Sequence, residues 1–492
     1  MKKGVLVILD GYGEGKDFEF NAETKANTPF LDELHKLPYS LLSASGEDVG
    51  LLNGVMGGSE VGHMTIGAGR VVSGSAKLIR DEILNGNFFA HKKLNKELEA
   101  LKKREGDLHL IGLMSDKNVH SDINHAFAII KMAHDKAKNI FLHLFTDGRD
   151  SAPYDSVKYL KKVKAEIKKY KNCEIASLCG RLYGMDREEN WDRTKLAFDN
   201  MFGEGKTIKQ SEVEAYLQAE HKAGKNDQFV LPVKIKTKAD CKLKSKDVVL
   251  MFNFREDRVR QLARMINENT NCKLITMANA TGAKSVVLYP PTLVKDGLGE
   301  YLSKLGLKQK RISESTKYAH LTYFFNGGRE EPFPLEERVH IVSHKVADFS
   351  NTPKMRAEEI TKEVIKAIKQ DYDAIIVNYS NPDMLGHTGN FEATVKSLEF
   401  MDGCLKKLAD VALKKGYFML FTADHGNAEV MRYDNGEPHI AHTLNRVFCV
   451  PLDNQVYKVE KYGGLRDIAP TFVDLMGIRQ NKRFEGKSLL KK

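Results

Sequence analysis

Phe418-Met419-Leu420-Phe421-Thr422-Ala423-Asp424-His425-Gly426-Asn427 is an apolar run that breaks into an acid, an imidazole and a glycine. A short hydrophobic segment ending in polar turn formers reads as a buried strand with a loop at its carboxyl end. The same pattern recurs at residues 5–9 before Asp10, and at residues 374–377 before the Asp383-x-x-x-His387 segment. Such runs, rich in Val, Ile and Phe and alternating with helical patterns, describe an α/β chain with buried parallel strands. In open α/β sheets ligands gather beyond the carboxyl ends of the strands. Segments far apart in sequence therefore converge at one rim.

What converges there is chemically specific. Asp10, Asp383, His387, Asp424, His425 and His442 offer carboxylate oxygen and imidazole nitrogen, a mixture that suits Mn²⁺ or Zn²⁺ better than Ca²⁺. No cysteine belongs to the set, which argues against a structural zinc knot and for a catalytic site. Ser59 lies in Gly57-Gly58-Ser59-Glu60-Val61-Gly62-His63, a glycine-rich turn that opens a helix. A lone serine in such a turn is ordinarily an N-cap. Beside a divalent cation at a helix N-terminus, the same hydroxyl becomes an alkoxide nucleophile. The flanking glycines let a phosphate approach the backbone. The whole reads as a two-metal site built around a serine, with His63 assigned a structural or supporting place, and His35, His91 and His109 structural ones.

Composition bounds the alternatives. A chain of 492 residues with 42% apolar content builds two or three domains. The 76 basic and 66 acidic residues leave a net charge of +10. Much of it comes from lysines on helical segments such as residues 161–171, which read as solvated faces. Without a recognition motif or aromatic-interleaved basic stripe, nucleic acid is not an expected partner. Cys173, Cys179, Cys241, Cys272, Cys404 and Cys449 form no C-x-x-C pair and read as reduced thiols. The apolar stretch after Met1-Lys2-Lys3 ends at Asp10, too early for a secretory signal, and no run approaches the roughly 18 apolar residues of a membrane span. A soluble cytoplasmic protein with no membrane partner is expected.

Metal-type residues occupy the two outer blocks, residues 1–74 and 298–492. Between them, residues 75–297 carry their own strand-like runs at 108–113, 140–145, 174–178 and 248–252. That is the pattern of a second α/β domain inserted into the first, joined near Ser73-Gly74-Ser75 and again near Tyr289-Pro290-Pro291, with two crossings acting as a hinge. The inserted strands end in His120, Asp147-Gly148-Arg149-Asp150, Gly180-Arg181 with Met185-Asp186-Arg187, and Asn253-Phe254-Arg255 with Asp257-Arg258. Each arginine alone is ordinarily a surface ion pair. Five of them at successive strand ends make a cradle for carboxylate and phosphate oxygens.

These segments, in this order, resemble the cofactor-independent (2,3-bisphosphoglycerate-independent) phosphoglycerate mutases of the alkaline phosphatase superfamily over nearly the full chain. Beyond those already quoted, the resemblance is carried by Leu9-Asp10-Gly11-Tyr12-Gly13, Lys317-Tyr318-Ala319-His320 and Pro382-Asp383-Met384-x-Gly386-His387-Thr388-Gly389. It implies a phosphatase-like α/β domain made from the outer blocks and an inserted α/β phosphotransferase domain that binds substrate. It implies two divalent ions, Mn²⁺ in first place with Zn²⁺, Co²⁺ or Mg²⁺ as alternatives: one on Asp383, His387 and His442, the other on Asp10, Asp424, His425 and Ser59. The implied reaction is the glycolytic and gluconeogenic interconversion of 3-phosphoglycerate and 2-phosphoglycerate through phosphorylated Ser59, in a monomer.

The resemblance further assigns glycerate contacts to His120, Arg149, Asp150, Arg181 and Arg187, and phosphoryl contacts to Arg255, Arg258 and Lys317. Asp150 is the candidate proton carrier. Three positions depart from the family pattern: Gly58 stands where an asparagine commonly precedes the serine, Asp122 where a second histidine is common, and Arg446 where a proline commonly follows the asparagine. Alternatives on the same core are a metal-dependent phosphatase or phosphonate hydrolase and a phosphopentomutase-like transferase. From another class comes a basic nucleic-acid or scaffold protein with a dead metal core.

Overall fold

The computed structural model describes residues 1–291 and 293–491. The chain forms two compact units, Met1–Gly74 with Thr292–Lys492, and Ser75–Pro291. The second unit ends at Pro291, within the Tyr289-Pro290-Pro291 segment.

The first unit is an eight-stranded sheet in the order Glu336–Ile341, Gln309–Glu314, Ala374–Tyr379, Gly4–Leu9, Phe418–Thr422, Val447–Leu452, Ser40–Ser43, Tyr462–Gly464. Gly4–Leu9 pairs in parallel with Ala374–Tyr379 on one side and Phe418–Thr422 on the other. All residues of these three strands are buried. Their unbroken apolar sequence follows from burial on both faces, at ~1.5–3 kcal/mol for each large side chain removed from water. Helices Ala357–Lys369 and Phe391–Lys414 pack on one another and on the sheet, and Ile468–Leu475 packs on the central strand.

One strand runs against the others. Val447–Leu452 is antiparallel to both neighbours, with Thr422 opposite Cys449. The beginning of that strand therefore lies at the rim where the parallel strands end. This is how His442, which precedes a strand instead of following one, reaches the same edge as Asp10 and Asp424.

The second unit is also eight-stranded, in the order Val286–Val287, Lys273–Thr276, Val248–Met251, Leu108–Leu113, Ile140–Thr146, Cys173–Gly180, Val233–Lys236, Thr207–Lys209. Only the pairing of Cys173–Gly180 with Val233–Lys236 is antiparallel among its recorded pairs. Apolar clusters around Leu110, Leu142 and Leu250, and around Ile111, Phe145 and Val249, cover the alternating faces of its strands. The cysteines are free, and all but Cys272 are buried. Among the described residues no helix is long and apolar enough to cross a membrane.

Candidate active site

In the first unit Asp10 directly follows the central strand. Its N–H donates to the Tyr379 carbonyl at 3.0 Å, and its own carbonyl accepts from the Asp383 N–H at 2.9 Å. Gly11, next in line, has φ +79°, and a Cβ there would stand 2.7 Å from Asp383 Cα. Only glycine permits both that conformation and that approach. The Gly11 N–H donates to Asp424 Oδ1 at 3.2 Å. Asp10, Asp383 and Asp424 thus leave three adjacent strands and are all buried.

His387, at the end of the short helix Asn381–Gly386, brings Nε2 to 3.1 Å from Asp383 Oδ1, and His442 Nε2 lies 3.3 Å from the same oxygen. Each Nδ1 is bound to a backbone carbonyl, His387 to Ile440 at 2.7 Å and His442 to Gly57 at 2.8 Å. A carbonyl only accepts, so each Nδ1 carries a proton and each Nε2 faces Asp383. Metal-binding histidines are oriented in this way. Asp383, His387 and His442 together could hold an ion. The hydrogen bond to Asp383 also raises the His387 pKa above its ordinary value, a sign of how strongly the spot favours positive charge.

Ser59 is the first residue of helix Ser59–Ala68; Gly58 is the cap, and no side chain caps it. The hydroxyl is therefore not used as an N-cap. Its Oγ lies 3.1 Å from Asp10 Oδ1 and 3.0 Å from His425 Nε2. His425 Nε2 is in turn 3.5 Å from Asp10 Oδ1 and 3.5 Å from Asp424 Oδ2. Asp424 Oδ2 is buried without a hydrogen-bond partner. An orphaned carboxylate oxygen among imidazole nitrogens and a serine oxygen fits a borderline divalent ion, so the residues present suit the implied metals. Asp10, Asp383 and His425 form a second group with suitable spacing.

Lys317 joins the carboxylates to the serine. Its Nζ is 2.6 Å from Asp10 Oδ1, 2.6 Å from Ser59 Oγ and 2.5 Å from Asp383 Oδ2. Burial would lower the ammonium pKa, but Asp10 and Asp383 hold it above the ordinary lysine value. Burial would likewise raise both carboxyls, yet Lys317 keeps them well below the usual carboxylate range. His425 shows the same balance: burial opposes its charge, Asp424 and Asp10 favour it, and its pKa is raised to about 9. The dominant field at the rim is negative.

Sequence reading gives His63 a structural or supporting place, but its partner Asn378 goes unnoticed there. His63 is buried four residues after Ser59, with Nδ1 2.9 Å from the Ser59 carbonyl and 3.1 Å from Asp424 Oδ2. Its Nε2 lies 3.0 Å from Asn378 Nδ2, which also donates to Asp10 Oδ2 at 2.7 Å. The available signals are the i, i+4 spacing from Ser59 and an amide inside the otherwise apolar strand Ala374–Tyr379.

The second unit gathers its polar residues at its own strand ends. Arg181 is buried, and its Nη1 donates to Asp147 Oδ1 at 2.6 Å and Asp150 Oδ2 at 2.7 Å. Its Nη2 is buried without a partner, as are His120 Nδ1 and Arg258 Nε. His120 Nε2 lies 3.6 Å from Asp150 Oδ2. Burial, Arg181, Arg255 and Arg258 lower the His120 pKa to about 3, so this imidazole is neutral. Arg187 Nη1 reaches Asp257 Oδ2 at 2.6 Å, and Arg255 Nε lies 3.2 Å from Asp257 Oδ1. Arg258 donates to the Met185 carbonyl at 3.2 Å, and burial and its neighbours Arg187 and Arg181 lower its pKa. Arg149 is exposed, with its N–H on Asp147 Oδ1 at 3.3 Å.

Two of the three departures from the family pattern make specific local contacts. A Cβ at Gly58 would meet His442 Nδ1 at 3.4 Å, an ordinary contact, and nothing in the structure requires glycine there. Asp122 caps helix Ile123–Ala133 by accepting from the Asn124 N–H at 2.9 Å. Arg446 holds the Glu14 N–H on its carbonyl at 2.7 Å and lays its guanidinium over the Tyr462 ring at 5.3 Å.

Residues 2–480 match the model of the metalloenzyme superfamily. A 2,3-bisphosphoglycerate-independent phosphoglycerate mutase of Clostridium botulinum (strain Langeland) is 42% identical over 508 residues, covering 100% of this chain and 99% of that protein. The protein of the same name from Prochlorococcus marinus subsp. pastoris is 40% identical over 511 residues, covering 99% and 94%. Among solved structures, Leishmania mexicana phosphoglycerate mutase at low cobalt concentration superposes with a TM-score of 0.69 at 29% identity, covering 100% of this chain and 98% of that one.

Proposed function

The chain belongs to the 2,3-bisphosphoglycerate-independent phosphoglycerate mutases of the metalloenzyme superfamily, and from that premise we propose that it interconverts 3-phosphoglycerate and 2-phosphoglycerate through a phosphoserine at Ser59. The observation that carries this reading is the Ser59 hydroxyl itself. It heads a helix at the carboxyl rim of the sheet, released from capping, 3.0 Å from His425 and 3.1 Å from Asp10.

Ser59 gives up its hydroxyl proton to solvent, Oγ attacks phosphorus, the bond from phosphorus to the glycerate oxygen breaks, and glycerate stays bound while the serine carries the phosphoryl group. The return transfer goes to the other glycerate oxygen and regenerates the free hydroxyl. Two divalent ions, Mn²⁺ in first place with Zn²⁺, Co²⁺ or Mg²⁺ as alternatives, would lower the charge on the serine and phosphoryl oxygens. Asp383, His387 and His442 would hold one of them, and Asp10, Asp424, His425 and Ser59 the other.

Lys317, already at Ser59 Oγ, is placed to meet a phosphoryl oxygen bonded to that atom. Arg255 and Arg258 match the family's further phosphoryl ligands and would take that role from the inserted unit. In the inserted unit, Arg181 with its unpartnered Nη2, neutral His120, Arg149 and Arg187 would hold glycerate through its carboxylate and hydroxyl oxygens. Asp150, fixed by Arg181, would give a proton to the departing glycerate oxygen and take one from the oxygen that accepts the phosphoryl group on return. The reaction is a step of glycolysis and gluconeogenesis, which supports a cytoplasmic protein.

Phosphorus NMR of metal-stripped protein reconstituted with Mn²⁺, freed of excess ion and given 3-phosphoglycerate without bisphosphoglycerate tests the reading. Metal-dependent appearance of 2-phosphoglycerate without inorganic phosphate is expected. Inorganic phosphate as the sole product would make the chain a phosphatase.

A further inference from the structure

Below the serine a chain of hydrogen bonds crosses from the nucleophile's helix to the central sheet. The Ser59 carbonyl can only accept, so His63 Nδ1, 2.9 Å away, carries the proton. His63 Nε2 is then an acceptor, and it takes one N–H from Asn378 Nδ2 at 3.0 Å. The second N–H of that amide goes to Asp10 Oδ2 at 2.7 Å. The reversed amide would set Asn378 Oδ1 against a carboxylate, so donor and acceptor roles are determined along the whole chain. All three side chains are buried.

Spacing alone would make His63 a third metal ligand with Asp10 and Asp424. The hydrogen bonds argue otherwise: Nδ1 is protonated and Nε2 is occupied, so neither ring nitrogen offers a lone pair to an ion. What the chain does is orient. Asp10 Oδ2 is tied back by Asn378, which turns Oδ1 toward Ser59 Oγ, 3.1 Å away. The His63 ring edge stands 3.1 Å from Asp424 Oδ2, the orphaned oxygen of the same side, and limits where that carboxylate can swing. No recorded hydrogen bond links His63 or Asn378 to Asp383, His387 or His442.

We propose that His63 and Asn378 are positioning residues that hold Asp10, Asp424 and the Ser59 helix start in register, and so set the affinity of the serine-side metal site without touching the ion. The inference rests on the two-metal reading above. Partners that orient metal ligands typically change affinity by ~10–100-fold when removed.

The test is Mn²⁺ titration of the full metal-stripped chain by electron paramagnetic resonance, for wild type, Asn378→Leu, His63→Leu and His63→Gln. Asn378→Leu and His63→Leu are expected to weaken one of two binding phases by ~10–100-fold and leave the other unchanged. His63→Gln, whose carbonyl can still accept from Asn378, should recover part of the loss. It also serves if either leucine variant does not fold. Two phases that shift together, or that stay at wild-type positions in every folded variant, overturn the proposal. A wild-type titration without two Mn²⁺ sites would instead sink the two-metal reading itself.

Discussion

Lys317 Nζ and Ser59 Oγ are 2.6 Å apart in the first unit, and the same ammonium bridges Asp10 and Asp383. The lysine is thus an internal counter-ion for carboxylates that also belong to the candidate metal groups. Lys317→Met would leave those charges buried and uncompensated in metal-free protein, a loss of about 3–5 kcal/mol when one partner of a buried pair is removed. Divalent ions held by these carboxylates, as proposed above, would restore the balance. The expected outcome is a low Tm in chelator and a larger rise with Mn²⁺ than wild type shows. Equal rises in the two proteins would refute the counter-ion role.

Ser59→Ala removes the proposed nucleophile but none of the carboxylate or imidazole groups. Mutase activity should fall by at least ~10³-fold, while Mn²⁺ binding stays within a few-fold of wild type. Mass spectrometry of acid-quenched wild-type reactions should locate phosphate on the Ser59 peptide. Near-normal turnover in the alanine variant would end the phosphoserine mechanism.

His125, in the inserted unit, makes the acid stability of that unit predictable. Burial lowers its pKa from 6.5 to about 3, both ring nitrogens lack partners, and its ring packs 5.6 Å from that of Phe254. The folded state keeps this imidazole neutral, whereas the unfolded chain takes up a proton below about pH 6.5. Stability is lost as pH falls from about 6.5 towards 3, by about 2 kcal/mol at pH 5 from this residue alone. His125→Phe should remove that share of the pH dependence. Trp191 is the chain's single tryptophan and lies in this unit, so its fluorescence during urea unfolding at pH 7 and pH 5 reads the difference. An unchanged difference between the two pH values in the variant would reject the assignment.

Asp122, one of the three departures from the expected family pattern, caps helix Ile123–Ala133 with its carboxylate. Asp122→Ala should cost about 0.5–2 kcal/mol, and Asp122→Asn should restore most of it, because either side-chain oxygen can accept from the Asn124 N–H. Urea midpoints followed through Trp191 distinguish this from a role confined to substrate, which would change KM and leave stability alone.

The legible part of the site was the part in which chemistry follows an apolar run. Asp10, Asp383 and Asp424 end buried parallel strands, and the grammar of strand then acid reports them directly. His442 was legible as a residue type but not as a position. Its strand runs antiparallel, a fact set by pairing with Phe418–Thr422 and Ser40–Ser43 that no local pattern encodes. His63 was legible as a structural or supporting residue and not as a ligand; only the fold shows Asn378 and Asp424 beside it. Lys317 was expected among phosphoryl ligands, but its contacts with Asp10 and Asp383 connect residues too far apart in sequence for spacing to reveal them.

Arg181 provides the most direct test of the inserted unit. Its Nη1 holds Asp147 and Asp150, while its Nη2 is buried with no partner in the protein. A guanidinium so placed has one donor group committed to the carboxylates and another left for an anion, which the planar fork makes possible and a lysine ammonium does not reproduce. Arg181→Lys keeps the positive charge beside Asp147 and Asp150 but loses the donor aimed elsewhere. A charge-assisted hydrogen bond is worth about 1.5–3 kcal/mol, so KM for 3-phosphoglycerate should rise by roughly 10–100-fold. If Asp150 carries the proton, its loosened position should also lower kcat, and Asp150→Asn should lower kcat further with a smaller effect on KM. Steady-state kinetics of both variants, with Tm measured alongside, separates the contributions. An Arg181→Lys enzyme with wild-type KM would mean that the buried Nη2 does not meet substrate, and the glycerate assignment would then have to rest on His120, Arg149, Asp150 and Arg187.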